Sequence, residues 1–138
     1  MRDKICKAKR KDNREWIEGY YFCMAHNDGR HVHHFIIPIG VDLSLGTPIE
    51  KIQVEIDIDT LCQYTGLTDK NGQKIWENDI ATIKDMISIG KVLFDKEYCS
   101  YLIRIGAGRY VRDIGRFEDE IEVIGNIFDN PELLKGGE

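Results

Sequence analysis

The side chains best suited to chemistry lie in three clusters. The stretch "HVHH" carries His31, His33 and His34. On a strand, His31 and His33 point to the same side, with Cα atoms about 6.5–7 Å apart. Two imidazoles so placed are the start of a zinc or nickel site, and His26, Asp28 and Cys23 are the nearest further ligands. No HExxH-like spacing accompanies them, so a polar strand face beside a turn is the simpler reading. A second cluster is acidic. Asp57, Asp59, Asp69 and Asp79 are the carboxylates that hydrolysis or Mg²⁺ binding would need. Asp57 and Asp59 share a strand face, as the residues of any solvent-facing acidic strand do. The third is the thiol of Cys62, just after a candidate helix start, where a thiolate is stabilised. No histidine lies near it in sequence to act as its base.

Other stretches carry less. "GAGR" at Gly106–Arg109 lacks the Lys-Ser/Thr of a phosphate loop. Trp16, Tyr20, Tyr21 and Phe22, beside the basic Lys7–Lys11 segment, resemble a stacking platform for single strands. Consecutive strand residues face opposite ways, so at least half of those rings belong to a core. The sequence therefore assigns no catalytic residue, no cofactor site and no metal site, with His31 and His33 the only metal candidates.

The elements that position these residues are mostly strands. The chain has 138 residues, 42% hydrophobic and 31% charged, which fits one soluble globular domain. Strands are expected over residues 4–9 and 15–24, paired through the Asp12-Asn13 turn. Asp28-Gly29 belongs to the dipeptide class that favours a type I′ hairpin, and it returns the chain to Pro38. Residues 39–50 read as a loop. Ile52, Val54, Ile56 and Ile58 then alternate with Gln53, Glu55, Asp57 and Asp59, which predicts a half-buried strand with an acidic outer face. Asp59 or Thr60 is placed to cap a helical turn over "TLCQYTG", ended by Gly66.

From Gln63 to Ile80 the chain reads "QYTGLTDKNGQKIWENDI". Asn71-Gly72 signals a two-residue type I′ turn, which puts Asp69 opposite Lys74 and Leu67 opposite Trp76. Asn78-Asp79 marks another tight turn. Strands follow in "IATI", "ISIGKVLFD", "YCSYLIRIG" and "IEVIGNIF", with Gly90 a candidate bulge. A helical turn is expected near Arg116–Glu120 and another in "DNPELL". "KGGE" is expected to be disordered. Short strands at roughly ten-residue intervals suggest a small barrel or sandwich.

The 18-residue stretch resembles the YopX family of phage and prophage proteins, whose members carry sequences like "QYTGLKDKNGKEIYEGDI". The matching positions include Gln63, Tyr64, Thr65, Gly66, Asp69, Asn71, Gly72 and Asp79. The opening "KICKAKRKDNREWIEGYYF", the strand "GKVLFD" and the end "IEVIGNIFDNPELL" also resemble that family. The likeness runs from Ile5 to Leu134 and is least over residues 25–58. Asn78 and Arg14 stand where the family commonly has Gly, and Trp76 where it has Tyr. Asn is the non-Gly residue best able to hold positive φ, so the turn at Asn78 is expected to persist. The resemblance implies a phage or prophage origin and a mostly β fold. It brings no reaction and no catalytic residue.

The fold expected is therefore mostly β, α+β at most, in a single domain over 1–138. Residues 1–40 form an N-terminal hairpin region, 41–59 a loop and acidic strand, and 60–134 the core. That core is an SH3-like barrel or a strongly bent antiparallel sheet, with 135–138 as tail. No stretch approaches the roughly 20 apolar residues of a membrane span, and the charged start lacks a secretory signal. The host bacterial cytoplasm is the expected location. The net charge is −5, but residues 1–14 hold seven Lys/Arg against two Asp, so this segment is +5 and the rest −10. Two functional expectations follow. One is a non-enzymatic interaction protein that self-associates, using the acidic strand and the aromatic N-terminal hairpin. The other is a nucleic-acid-associated protein touching phosphate through Lys9, Arg10 and Lys11, which the acidic remainder disfavours. A small hydrolase ranks third.

Overall fold

The computed structural model describes residues 4–41, 46–84, 89–106 and 108–134. It divides into two compact units, residues 1–63 and 64–138. The first unit is an antiparallel sheet of β1 (Cys6–Lys9), β2 (Trp16–Ala25), β3 (Val32–Pro38) and β4 (Val54–Glu55), in the order β4-β3-β2-β1. The first residues of β5 (Cys62–Thr68) complete it, Gln63 pairing with Cys6 and Cys62 with Lys7. Its core is small. Ala8, Ile36 and Ile56 are buried, with Ile17, Tyr21 and Leu61 packed on them.

In the second unit the rest of β5 pairs with β6 (Lys74–Trp76). The chain then builds a five-stranded antiparallel sheet from β7 (Asp79–Ile83), β8 (Ile89–Asp95), β9 (Ser100–Gly106), β10 (Arg109–Val111) and β11 (Ile121–Asn126). Its order is β10-β9-β8-β7-β11. The core unites Ile75, Ala81, Ile83, Val92, Ile103, Ile105, Ile114 and Ile121. Six of these are isoleucines, and branched side chains of this kind suit a pleated, half-buried surface. The register shifts between β9 and β10 and again between β7 and β11. An extra residue in one strand bends it and increases its twist.

The fold is thus mostly β, as the alternation implied, and it takes the form of strongly bent open sheets; among the described residues no barrel closes. Four local expectations need correction. The acidic strand is only Val54–Glu55, with an isolated bridge from Ile56 to Arg10. The chain leaves the strand at Asp57, whose carboxylate accepts the Asp59 N–H and caps a 3-10 turn over Ile58–Thr60. Ile58 is consequently exposed while Ile56 is buried. Second, "TLCQYTG" is not a helical turn. From Cys62 it is strand β5, because pairing with β1 and β6 supplies backbone partners that local helix preference does not.

Third, Gly90 pairs with Ala81 in regular register and makes no bulge. A Cβ there would collide with the Ile103 side chain and the Arg104 carbonyl, so glycine permits close approach of β9. Fourth, the helical turn expected near Arg116–Glu120 starts earlier, as a 3-10 turn over Ile114–Phe117. A further 3-10 turn covers Pro131–Leu134. The tail, residues 135–138, lies outside the described residues.

Candidate functional site

The motif from Gln63 to Asp79 is a set of interlocked turns. Asn71-Gly72 does not form the two-residue turn expected. Gly72 is left-handed at φ 80, but Asn71 is not among the residues with positive φ. The Asp69 carbonyl accepts the Gly72 N–H at 3.0 Å, and the Asp69 N–H reaches the Gln73 carbonyl at 2.8 Å. The loop is therefore three residues, Lys70-Asn71-Gly72, with glycine in the left-handed bulge position. Thr68, not Asp69, faces Lys74. Trp76 faces Tyr64, not Leu67, with ring centroids 5.4 Å apart. Between those pairs β5 bulges through Thr65, whose hydroxyl donates to the Ile75 carbonyl at 2.7 Å and accepts the Leu67 N–H. Gly66, at φ 87, takes the left-handed step of that bulge.

The displaced register frees the Asp69 carboxylate for another role. Asp69 is 5% exposed. Its Oδ1 accepts the Asn71 and Gln73 N–H groups, both at 2.9 Å, and its Oδ2 accepts the Val123 N–H of β11 at 3.0 Å. The neighbouring Lys70 N–H donates to the Ile121 carbonyl. Burial works to raise the Asp69 carboxyl; the three N–H donors, Val123 foremost, outweigh it and hold it below the ordinary aspartate range. Asp79, 2% exposed, accepts the Trp76 N–H at 2.8 Å. Asn78 holds φ 70, as its place in the turn requires, and Arg14 holds φ 63 at the corresponding point of the first hairpin. The two buried aspartates of the motif thus spend their oxygens on backbone donors, which is a structural use.

The histidines assemble differently from the sequence expectation. His33 lies against His26, with Nε2 atoms 3.0 Å apart, while His31 is held by Asp28 at 2.6 Å. Two-residue spacing put His31 and His33 on one face; the turn between β2 and β3 brings His26 across instead. That turn is a four-residue loop closed by the His26 N–H donating to the His31 carbonyl, and Gly29 sits at φ 67 within it. The Asp28-Gly29 hairpin is therefore longer than type I′. His34 points to the other face, where its Nδ1 meets the Tyr21 hydroxyl at 2.7 Å. Among the described residues, no three His, Cys, Asp or Glu side chains gather as a complete metal site.

The basic and acidic segments face one another within the first unit. Arg10 bonds Asp12 through two nitrogens, at 2.9 and 2.7 Å. Lys11 lies 3.5 Å from Glu55 and Arg14 2.9 Å from Asp57. Lys7 and Lys9 sit over the Trp16 ring. Asp57 is held below its ordinary pKa first by Arg14 and then by the Asp59 N–H, and Glu55 first by His33 and, more weakly, by Lys11. Asp57 and Asp59 do not form a two-carboxylate face, because one caps the turn that contains the other. Cys62 is buried, with its thiol donating to the Thr60 carbonyl.

Sequence reasoning missed one groove. It lies in the second unit, encloses about 280 Å³, and is lined by Phe94, Asp95, Tyr110 and Arg112 among others. Arg112 pairs with Asp95 and stacks its guanidinium 4.5 Å from the Tyr98 ring. These residues come from β8, β10 and the connections that follow each of them, and no spacing in the sequence connects them.

The fold and its motif define a class: a mostly β protein of two antiparallel units whose most ordered segment is a structural clasp. The chain belongs to the YopX protein family, whose profile matches residues 7–135. It is similar in fold to protein EF1440 from Enterococcus faecalis, a crystal structure. That match has a TM-score of 0.59 and 23% identity, and covers 98% of this chain and 100% of the other. No curated protein matches it. No helix among the described residues is long and apolar enough to cross a membrane.

Proposed function

We propose that this is a phage- or prophage-encoded protein of the host bacterial cytoplasm that works by binding rather than catalysis and self-associates through β2 and β3. One observation carries the reading. Among the described residues β1 covers β2 only from Trp16 to Gly19, so there Tyr20–Ala25 pairs with β3 alone. Among the described residues no strand takes the other edge of that segment. Tyr20 is 56% exposed and Met24 47%. They share a face with the stacked Phe22 and Phe35 rings, 5.3 Å apart. A two-stranded ribbon is marginal by itself, and its open edge and apolar face are both relieved by pairing with an identical ribbon about a two-fold axis.

The ion pairs of Arg10, Lys11 and Arg14 count against the nucleic-acid reading, because phosphate would have to displace carboxylates already in place. Affinity for single-stranded DNA should be no tighter than about 10⁻⁵ M at physiological salt. Light scattering over a range of concentrations tests the main reading. The expected result is a dimer that Tyr20→Ser with Met24→Ser converts to a monomer of unchanged circular dichroism. A wild-type chain that stays monomeric throughout refutes it.

A further inference from the structure

We propose that His26 and His33 form a binding site for one divalent transition-metal ion at the tip of the β2–β3 ribbon. The carrying observation is the approach of their Nε2 atoms to 3.0 Å. Two imidazole nitrogens on a tetrahedral ion, each bonded at about 2.0–2.1 Å, lie roughly 3.3 Å apart. The pair as folded is within a few tenths of an ångström of that separation. The ring centroids are 5.0 Å apart and tilted by 50°, so the rings converge on their nitrogens rather than stacking.

The tautomers are set for it. Glu55 Oε2 lies 3.0 Å from His33 Nδ1, so that nitrogen carries the proton and donates it. The Nε2 lone pair is then left for a ligand. A carboxylate behind a histidine is the usual device that orients a metal-binding imidazole and raises its basicity. Asp28 does the same for His31, whose ring meets that of His26 edge-on at 5.7 Å. Without a metal, His26 must donate its Nε2–H to His33; with one, His26 moves that proton to Nδ1 and both lone pairs point at the ion.

The donor set selects the ion. Neutral imidazoles suit Zn²⁺, Ni²⁺, Cu²⁺ and Co²⁺, while Mg²⁺ and Ca²⁺ demand oxygen cages. The site offers two protein nitrogens, so its other positions are open to water or to a donor atom from a bound partner. Both imidazoles belong to one chain, so the site needs no second copy, although His33 faces Met24 across the ribbon on the face proposed for self-association.

The full-length chain carrying Cys23→Ser and Cys99→Ser, which removes the two exposed thiols, is titrated with Zn²⁺ and Ni²⁺ by calorimetry. Histidine ring resonances are followed by NMR in parallel. The expected result is one ion per chain, with the His26 and His33 signals shifting and that of His34 unmoved. His26→Gln or His33→Gln should weaken binding at least tenfold, and Glu55→Gln about tenfold through the lost support behind His33. An unmoved His34 signal in these variants shows that the ribbon still folds. Absence of binding overturns the proposal. So does binding that survives loss of both histidines, or equal response to Mg²⁺.

Discussion

The hairpins around Asp28 and Asp69 start from the same local chemistry and end in different states. In each, an aspartate Oδ1 accepts two backbone N–H groups just ahead of it: Arg30 and His31 for Asp28, Asn71 and Gln73 for Asp69. In each, a glycine at positive φ closes the loop, Gly29 at 67 and Gly72 at 80. The second oxygens separate them. Asp28 Oδ2 meets His31, three residues away in the same exposed turn. Asp69 Oδ2 takes the Val123 N–H, 54 residues away, and is buried in doing so. One long-range hydrogen bond turns a local turn into a clasp that ties β11 to the β5–β6 hairpin. The same motif chemistry thus serves as a free tip in one unit and as an anchor in the other.

Removing the carboxylates tests this difference most severely. Asp69→Ala leaves three N–H groups without their acceptor in a buried setting and should cost about 3 kcal/mol. Asp28→Ala frees donors that water can reach, so its urea midpoint should stay at the wild-type value. Equal losses at the two sites would show that Asp69 acts only within its turn.

The glycines give a smaller effect. Nothing lies within 4 Å of a Cβ built on either Gly72 or Gly29, so substitution costs only backbone strain. Gly72→Val should lose about 1–3 kcal/mol, because the clasp prevents the loop from relaxing. Gly29→Val should lose less, since an exposed tip opens locally without disturbing the rest. Thermal melts of the two variants decide it, and a larger drop at Gly29 would reverse the ranking.

The smallest effect is in acid. Asp69 is held below the ordinary aspartate value of about 3.9, so its charged form favours the folded state. The stabilisation is complete above that value and is lost as pH falls through the lower folded one. Asp28 is also lowered, by the Arg30 N–H and then by His31. Those bonds are local and partly survive in an unfolded chain, whereas the Val123 bond does not. Urea midpoints measured from neutral pH into acid should fall less in Asp69→Asn than in wild type, with Asp28→Asn following the wild type closely.

Terms spanning a few residues were legible from the sequence. The alternation from Ser100 to Ile105 did become a strand, Asn78 did hold a left-handed turn, and glycine did close both aspartate loops. Even there, the sequence signals did not fix how many residues each loop contains. Two-residue and three-residue loops both accept Asn-Gly, and the bulge at Thr65–Leu67 settles which register β6 adopts. Only the folded chain decided the rest. β4 ends after two residues because Asp57 turns to cap Ile58–Thr60 and pair with Arg14, although the apolar alternation runs on to Ile58. His33 meets His26 across a loop rather than His31 along a strand, and Asp69 finds Val123 rather than Lys74. Propensity and turn chemistry act between neighbours, so a sequence displays them directly. A buried carboxylate instead takes whichever donors the finished packing brings within 3 Å, and those donors are defined only once distant strands have met.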